Sequence, residues 1–287
     1  MPSHAGRSTR PSNSLSDPET FEPYLSRWAL APDGDPIVTE RSRLLAVRWN
    51  GQPAMLKIAV EPEERFGAHL MAWWEGNGAA RVYARDDDAL LMERAEGTGS
   101  LARMVRDGKD DEASRIICAV ASRLHEPRQQ PAPELIPLTR RFAELSPMAA
   151  AHGGVLRLAE KTARKLLAAP QDITVLHGDL HHGNVLDFRS RGWLAIDPKG
   201  LIGERGYDFA NIFCNPDPVA ALSSGRLARQ ASVVAEAAKL DRTRLLKWIV
   251  AHAGLSAAWF IGEGEDATPQ LTVAEIAMNE VAKSTGN

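Results

Sequence analysis

Residues His177–Asn184 read His-Gly-Asp-Leu-His-His-Gly-Asn, and the apolar run Trp193-Leu194-Ala195-Ile196 then leads to a second acid, Asp197, thirteen positions beyond Asn184. An aspartate and an asparagine five positions apart, followed by an aspartate closing an apolar run, supply the parts for moving a phosphoryl group from a nucleotide to a hydroxyl. That reaction needs position and charge compensation more than covalent help. Asp179 is the expected base or hydroxyl-orienting group, since a carboxylate within hydrogen-bond reach accepts the attacking proton as oxygen bonds phosphorus. Asn184 offers magnesium a neutral amide oxygen, and Asp197 offers an anionic one that bridges metal to phosphates.

Three histidines in the same block, His177, His181 and His182, raise a zinc hydrolase as the competing chemistry. The order H-x-D-x-H-H matches neither H-x-H-x-D-H nor the H-E-x-x-H helix, and no cysteine cluster assists. His177 is expected to brace the catalytic loop by hydrogen bonds. Arg189 and Arg191, in the turn between Asn184 and Asp197, are expected to lie in solvent.

These groups must be held by particular elements. Val185-Leu186-Asp187 and Trp193–Ala195 read as a β-hairpin, which would bring Asn184 and Asp197 to one end. Upstream, Leu44–Trp49 and Pro53–Ile58 flank Asn50-Gly51, the pair best suited to a type I′ turn, and this hairpin carries Lys57 near the end of its second strand. Lys57 is placed to pair with the α- and β-phosphates, and Glu64, in the first turn of a helix over 63–74, to hold it; Glu61 and Glu63 compete for that role. The bend Thr39-Glu40-Arg41-Ser42-Arg43 lacks a G-x-G-x-x-G loop, so backbone N–H groups and the Ser42 hydroxyl are the expected phosphate caps. A second hairpin turns at Asp86-Asp87-Asp88, and helices are expected over 111–125, 153–168, 218–239, 241–260 and 272–284, with a proline-rich loop over 127–137.

The expected division is a disordered tail over 1–20, a β-rich lobe over 21–92, a hinge over 93–97 and a helical lobe over 98–287. The chain has 287 residues, 44% hydrophobic and 25% charged, with a net charge of -3, so no global field points to nucleic acid or an anionic membrane. A cationic small substrate is mildly favoured. Two cysteines give no disulfide framework, and Cys118, inside Ile-Ile-Cys-Ala-Val, reads as a buried thiol. The N-terminal residues lack a secretory h-region, and no run reaches about 18 uninterrupted apolar residues. A monomeric, cytoplasmic enzyme is the expectation.

The order strand-Lys, helix-Glu, hinge, Asp-x-x-x-x-Asn, Asp resembles the protein-kinase layout, with Asp197 followed by Pro-Lys-Gly in place of Phe-Gly. Val-Leu-His-Gly-Asp-Leu-His-His-Gly-Asn-Val, Trp-Leu-Ala-Ile-Asp-Pro-Lys-Gly and Gly-Glu-Arg-Gly-Tyr-Asp-Phe-Ala-Asn together resemble the aminoglycoside/hydroxyurea antibiotic-resistance kinases. Within that family they are most similar to the streptomycin 6-phosphotransferase group of the aminoglycoside phosphotransferase superfamily. The resemblance spans about residues 24–280. It implies an α+β, two-lobed protein-kinase-like fold, with a small N-terminal β-sheet lobe plus helix and a larger, mainly helical C-terminal lobe. It also implies ATP, Mg²⁺ and γ-phosphate transfer to a hydroxyl of a small molecule.

By position, Asp179 matches the catalytic aspartate, Asn184 and Asp197 the magnesium ligands, and Lys57 the phosphate-binding lysine. The family's helix glutamate falls near Gly67, one turn after Glu64. Glu93 and Ala95 match the hinge whose backbone binds adenine. Asp208 is expected to brace its loop near the active site; a streptomycin pocket also needs carboxylates for guanidinium groups, and Asp208, Glu204 and Glu263 are the expected contributors.

Overall fold

The computed structural model describes residues 20–39, 42–60 and 64–285. The tail expected over 1–20 lies outside these residues, apart from Thr20, as do Glu61 and Glu63. The chain forms two compact units: Met1–Pro62 with Tyr83–Glu93, and Glu63–Val82 with Arg94–Asn287.

The smaller unit starts with helix α1 (Glu22–Arg27) and is built on strands β1 (Ala31–Pro32), β2 (Ile37–Val38), β3 (Ser42–Trp49), β4 (Gln52–Ala59), β5 (Val82–Arg85) and β6 (Ala89–Glu93). Sheet order is β1-β3-β4-β6-β5, with β2 also pairing β3. The β3–β4 hairpin turns where expected, because Asn50 and Gly51 accept φ angles of 49° and 76°. Strand alternation sends Leu45, Val47, Ala54, Leu56 and Ile58 into a core with Phe21 and Leu91. Lys57, one residue out of phase, takes the other face, opposite Leu44 and Leu90 in the ladder. The β5–β6 hairpin closes at the expected aspartates, with Asp86 N–H donating to the Ala89 carbonyl at 2.8 Å.

Helix α2 (Glu64–Trp73) clusters with the larger unit. Its buried face, Leu70 and Met71, is continued by Trp74, whose indole N–H donates to the Leu124 carbonyl at 3.1 Å. Next come α3 (Leu101–Arg106), capped by Ser100, and α4 (Asp110–Leu124), then β7 (Ile136–Pro137), α5 (Leu138–Arg141), α6 (Leu145–His152) and α7 (Gly154–Ala168). Strands β8 (Ile173–Leu176), β9 (Val185–Asp187), β10 (Trp193–Ala195) and β11 (Leu201–Glu204) carry the motif block, and a 3-10 helix follows over Arg205–Cys214. β9 and β10 pair antiparallel as expected, while β11 pairs β8 antiparallel and β7 parallel. Cys118 in α4 is buried, and burial pushes its thiol up to about 12.

The helix expected over 218–239 is two, α8 (Pro218–Ala221) and α9 (Arg226–Ala238), parted before Gly225, whose φ is +73°. The last two are α10 (Arg242–Glu263) and α11 (Thr268–Thr285). α10 is long and apolar enough to cross a bilayer, yet 67% of that stretch is buried, packed against α7, α11 and the 3-10 helix. It is a core helix. Gly254 permits its approach to α7, since a Cβ there would stand 2.2 Å from that of Ala159.

Candidate active site

The loop that carries Asp179 leaves β8 at His177, a residue with no exposed surface. His177 Nε2 lies 2.8 Å from the Ile196 carbonyl, and its Nδ1 accepts the Asp179 N–H at 3.2 Å. Only the Nε2–H tautomer serves both contacts. Burial lowers its proton affinity more than Asp208 and Asp179 raise it, so the ring is neutral. His177 thus braces the loop as expected, with both nitrogens engaged. His181 Nδ1 accepts the Gly183 N–H at 3.1 Å, and His182 is buried. Among the described residues no three His, Cys, Asp or Glu side chains converge as metal ligands.

Asp208 secures the same loop. Its carboxylate accepts the N–H groups of His177 (2.8 Å) and Gly178 (2.7 Å), and His125 Nε2 lies 2.8 Å away. Burial alone would raise its pKa, but the His125 hydrogen bond, the His125 and His177 interactions and the Gly178 N–H hold it below the ordinary value. The bracing role agrees with the expectation, while the expected substrate contact is corrected: the side chain is 0% exposed, whereas the Asp179 and Asp197 side chains are 30% and 34% exposed. Glu204 is corrected for the same reason. It takes the Arg244 guanidinium at 2.5 and 2.6 Å, the Trp248 indole at 2.7 Å and the Gln171 N–H at 3.0 Å. Glu263 is an exposed residue in the last turn of α10.

Asn184 and Asp197 stand at one end of the β9–β10 hairpin, where Ile196 N–H donates to the Asn184 carbonyl at 2.9 Å. The Asn184 amide nitrogen donates to the Asp179 carbonyl at 2.9 Å and to Asp179 Oδ2 at 3.3 Å. Its amide oxygen is therefore the atom left to offer a cation. Asp197, two residues beyond β10, has φ +61°, a conformation rare outside glycine. One neutral and one anionic oxygen form a hard donor set that fits Mg²⁺.

Lys199, which sequence reasoning did not single out, adds a cation here. Its Nζ lies 3.1 Å from Glu64 Oε1 and 3.5 Å from Asp197 Oδ2. Burial would lower its pKa, but Asp197, Glu64 and Asp179 more than offset this and raise it. Glu64, on α2, thus meets Lys199, and the backbone of Pro198 hinders any side chain at Gly67, where the resemblance places the family's helix glutamate. A Cβ at 67 would lie 2.1 Å from the Pro198 carbonyl oxygen, and Gly200, at φ +64°, would meet Phe66 at 2.7 Å. Three neighbours on α2 therefore engage Pro198, Lys199 and Gly200.

Asn211 and His252 were also missed, because nothing in their spacing sets them apart from core residues. The Asn211 amide donates to Asp179 Oδ1 at 2.9 Å. His252, from α10, lies with Nε2 3.0 Å from Asn211 Oδ1, and burial depresses its pKa to about 4.

Arg189 and Arg191 are not simply solvated. Arg189 Nε donates to the Glu96 carbonyl at 2.8 Å and Arg191 Nη2 to the Gly76 carbonyl at 2.6 Å. Ala95 lies in the irregular stretch after β6. Beyond it, Gly97 N–H donates to the Asp187 carbonyl at 2.9 Å and Gly99 N–H to Asp187 Oδ2 at 3.1 Å. In the smaller unit, Lys57 lies in β4 and Glu93 ends β6. Ser42 begins β3, its N–H donating to Thr39 Oγ1 at 3.0 Å and its hydroxyl 3.2 Å from that atom, while Glu40 and Arg41 lie outside the described residues.

Residues 27–264 match the model of the family described as aminoglycoside/hydroxyurea antibiotic resistance kinase. The chain belongs to this family. Among the relatives of this kinase, a streptomycin 3''-kinase of Klebsiella pneumoniae is 51% identical over 265 residues, covering 90% of this chain and 98% of the relative. A streptomycin 6-kinase of Streptomyces griseus is 32% identical, covering 88% and 86%. In fold, the kinase resembles an amicoumacin kinase solved with AMP-PNP and Ca²⁺, at a TM-score of 0.64 and 13% identity, covering 94% of this chain and 95% of that one. The α+β, protein-kinase-like fold follows the expectation.

Proposed function

We propose that this kinase transfers the γ-phosphate of ATP to a hydroxyl of streptomycin, with the 3''-hydroxyl as acceptor ahead of the 6-hydroxyl expected from the sequence. The observation that carries the reading is the 51% identity to a streptomycin 3''-kinase across 98% of that relative, against 32% to a streptomycin 6-kinase.

The chemistry follows from the residues described. Asp179 orients the acceptor hydroxyl and takes its proton as the oxygen bonds phosphorus. Asn184 and Asp197 would hold Mg²⁺, which when bound neutralises charge on the phosphates. Lys199 balances the carboxylates of Glu64 and Asp197 close to that position. Lys57 is assigned to the α- and β-phosphates, the backbone of Glu93 and Ala95 to adenine, and Ser42 to capping the phosphates. A cationic acceptor agrees with the net charge of -3, and Glu263 is the remaining expected acid at an exposed position.

Incubating the protein with ATP, Mg²⁺ and streptomycin should add one phosphate to the drug, and phosphorus–proton correlation in the purified product should locate it on the 3'' oxygen. Phosphate on the 6 oxygen would restore the original expectation. Unmodified streptomycin at high enzyme, alongside turnover of another hydroxylated compound or hydroxyurea, would replace the acceptor while keeping the reaction.

A further inference from the structure

Among the described residues of α10, the buried face is apolar except at one side chain. His252, 4% exposed, sits among the buried Ile249, Val250, Ala251, Ala253 and Leu255. An imidazole in such surroundings costs free energy unless its hydrogen bonds compensate, so its contacts are informative. Nε2 lies 3.0 Å from Asn211 Oδ1, while Nδ1 is buried with no hydrogen-bond partner.

Asn211 Oδ1 also faces the Asn215 amide nitrogen at 3.0 Å, and Asn215 donates to the Asn211 carbonyl at 3.0 Å as well. Two donors on the oxygen side leave one orientation for the Asn211 amide, with its NH₂ turned to Asp179 Oδ1 at 2.9 Å. Rotated by half a turn, that amide would set its oxygen against a carboxylate and its NH₂ against two donors.

We infer that Asn211 is a positioning residue for phosphoryl transfer, fixed by His252 and Asn215, and that it leaves Asp179 Oδ2 as the oxygen that accepts the proton. Oδ1 already accepts the Asn211 bond at 2.9 Å, whereas Oδ2 has a longer, 3.3 Å contact from Asn184. The inference rests on the kinase reading for the reaction it serves. His252 acts through Asn211, so a histidine in the helical core sets the direction of a carboxylate that it does not touch.

The test compares full-length Asn211→Leu, His252→Leu and His252→Gln with wild type. Misdirecting Asp179 should lower kcat about 10- to 100-fold in Asn211→Leu while KM for ATP stays within about twofold. His252→Leu should show a smaller loss in kcat, and His252→Gln, whose amide NH₂ can replace the Nε2–H, should recover most of it. Wild-type kcat in folded Asn211→Leu, a loss confined to KM for ATP, or equal loss in the two His252 variants would overturn the inference. Nitrogen NMR of wild-type His252 needs no acceptor and no variant: a neutral Nε2–H ring is expected, and an Nδ1–H ring overturns the relay. Should wild type phosphorylate some other acceptor, the acceptor proposal alone falls and the kcat series is run on that compound.

Discussion

At the scale of single residues, exposure separates the groups proposed to react from those that hold them. Asp179 and Asp197 keep about a third of their side-chain surface, while Asp208 and Glu204 are saturated by protein donors. Asp179→Asn removes the proposed proton acceptor but keeps a hydrogen-bonding group of the same size, so kcat should fall about 10²- to 10⁴-fold with ADP affinity retained. Retention of a tenth of wild-type turnover would refute that role. Lys199→Met leaves the Glu64 carboxylate, whose side chain is 6% exposed, without this cation; urea unfolding should show a loss of about 3 kcal/mol, partly recovered in Lys199→Met/Glu64→Gln. Asp179, Asn184 and Asp197 were legible because the first two stand five positions apart and one hairpin joins Asn184 to Asp197. Lys199 passed unnoticed in that same block, since only the packing of α2 shows which carboxylates surround it. Asn211 and His252 lie on different elements, and no local spacing links an amide in a 3-10 helix to a histidine in a core helix.

At the scale of elements, turn chemistry and apolar periodicity carried most of the reading. Asn50-Gly51 marked one hairpin and Arg189–Gly192 another, while Ile117, Val120 and Leu124 marked α4. Short elements escaped: α3, α5, β7 and β11 are too brief for a repeat to emerge, and the break between α8 and α9 depends on one left-handed glycine. Helix α2 was foreseen with nearly its observed bounds, but not its seat on Pro198–Gly200. Gly67→Ala tests that seat, because a methyl 2.1 Å from the Pro198 oxygen must push α2 or the Asp197 loop aside. Thermal melting should report a loss of about 1–3 kcal/mol, and turnover should fall beyond what the unfolded fraction explains. Wild-type melting and turnover would show that the contact tolerates a methyl group.

Across the whole molecule, buried histidines set the response to acid. His177, His182 and His252 all have depressed pKa values through burial, His182 at about 3 and His252 at about 4. Between the ordinary value near 6.5 and those values, the unfolded chain binds protons that the native state refuses, so stability falls as pH drops through this window. Each histidine contributes a slope of about 1.4 kcal/mol per pH unit, and urea midpoints at pH 7, 6 and 5 should decline accordingly. His252→Gln should lessen the slope by about one proton; an unchanged slope would mean the ring is protonated in the native state. Asp208 acts lower: its native pKa is depressed, so its contribution is present above about pH 4 and is lost as pH falls further. Helix α2 adds a consequence of another kind. In protein kinases activity is controlled partly by where the corresponding helix sits, which makes that helix a lever. Here glycine contacts at Gly67 and Gly200 and the Glu64–Lys199 pair join it to the Asp197 loop. A helix so fastened is expected to move with the Asp197 loop as one piece and not as a separate lever.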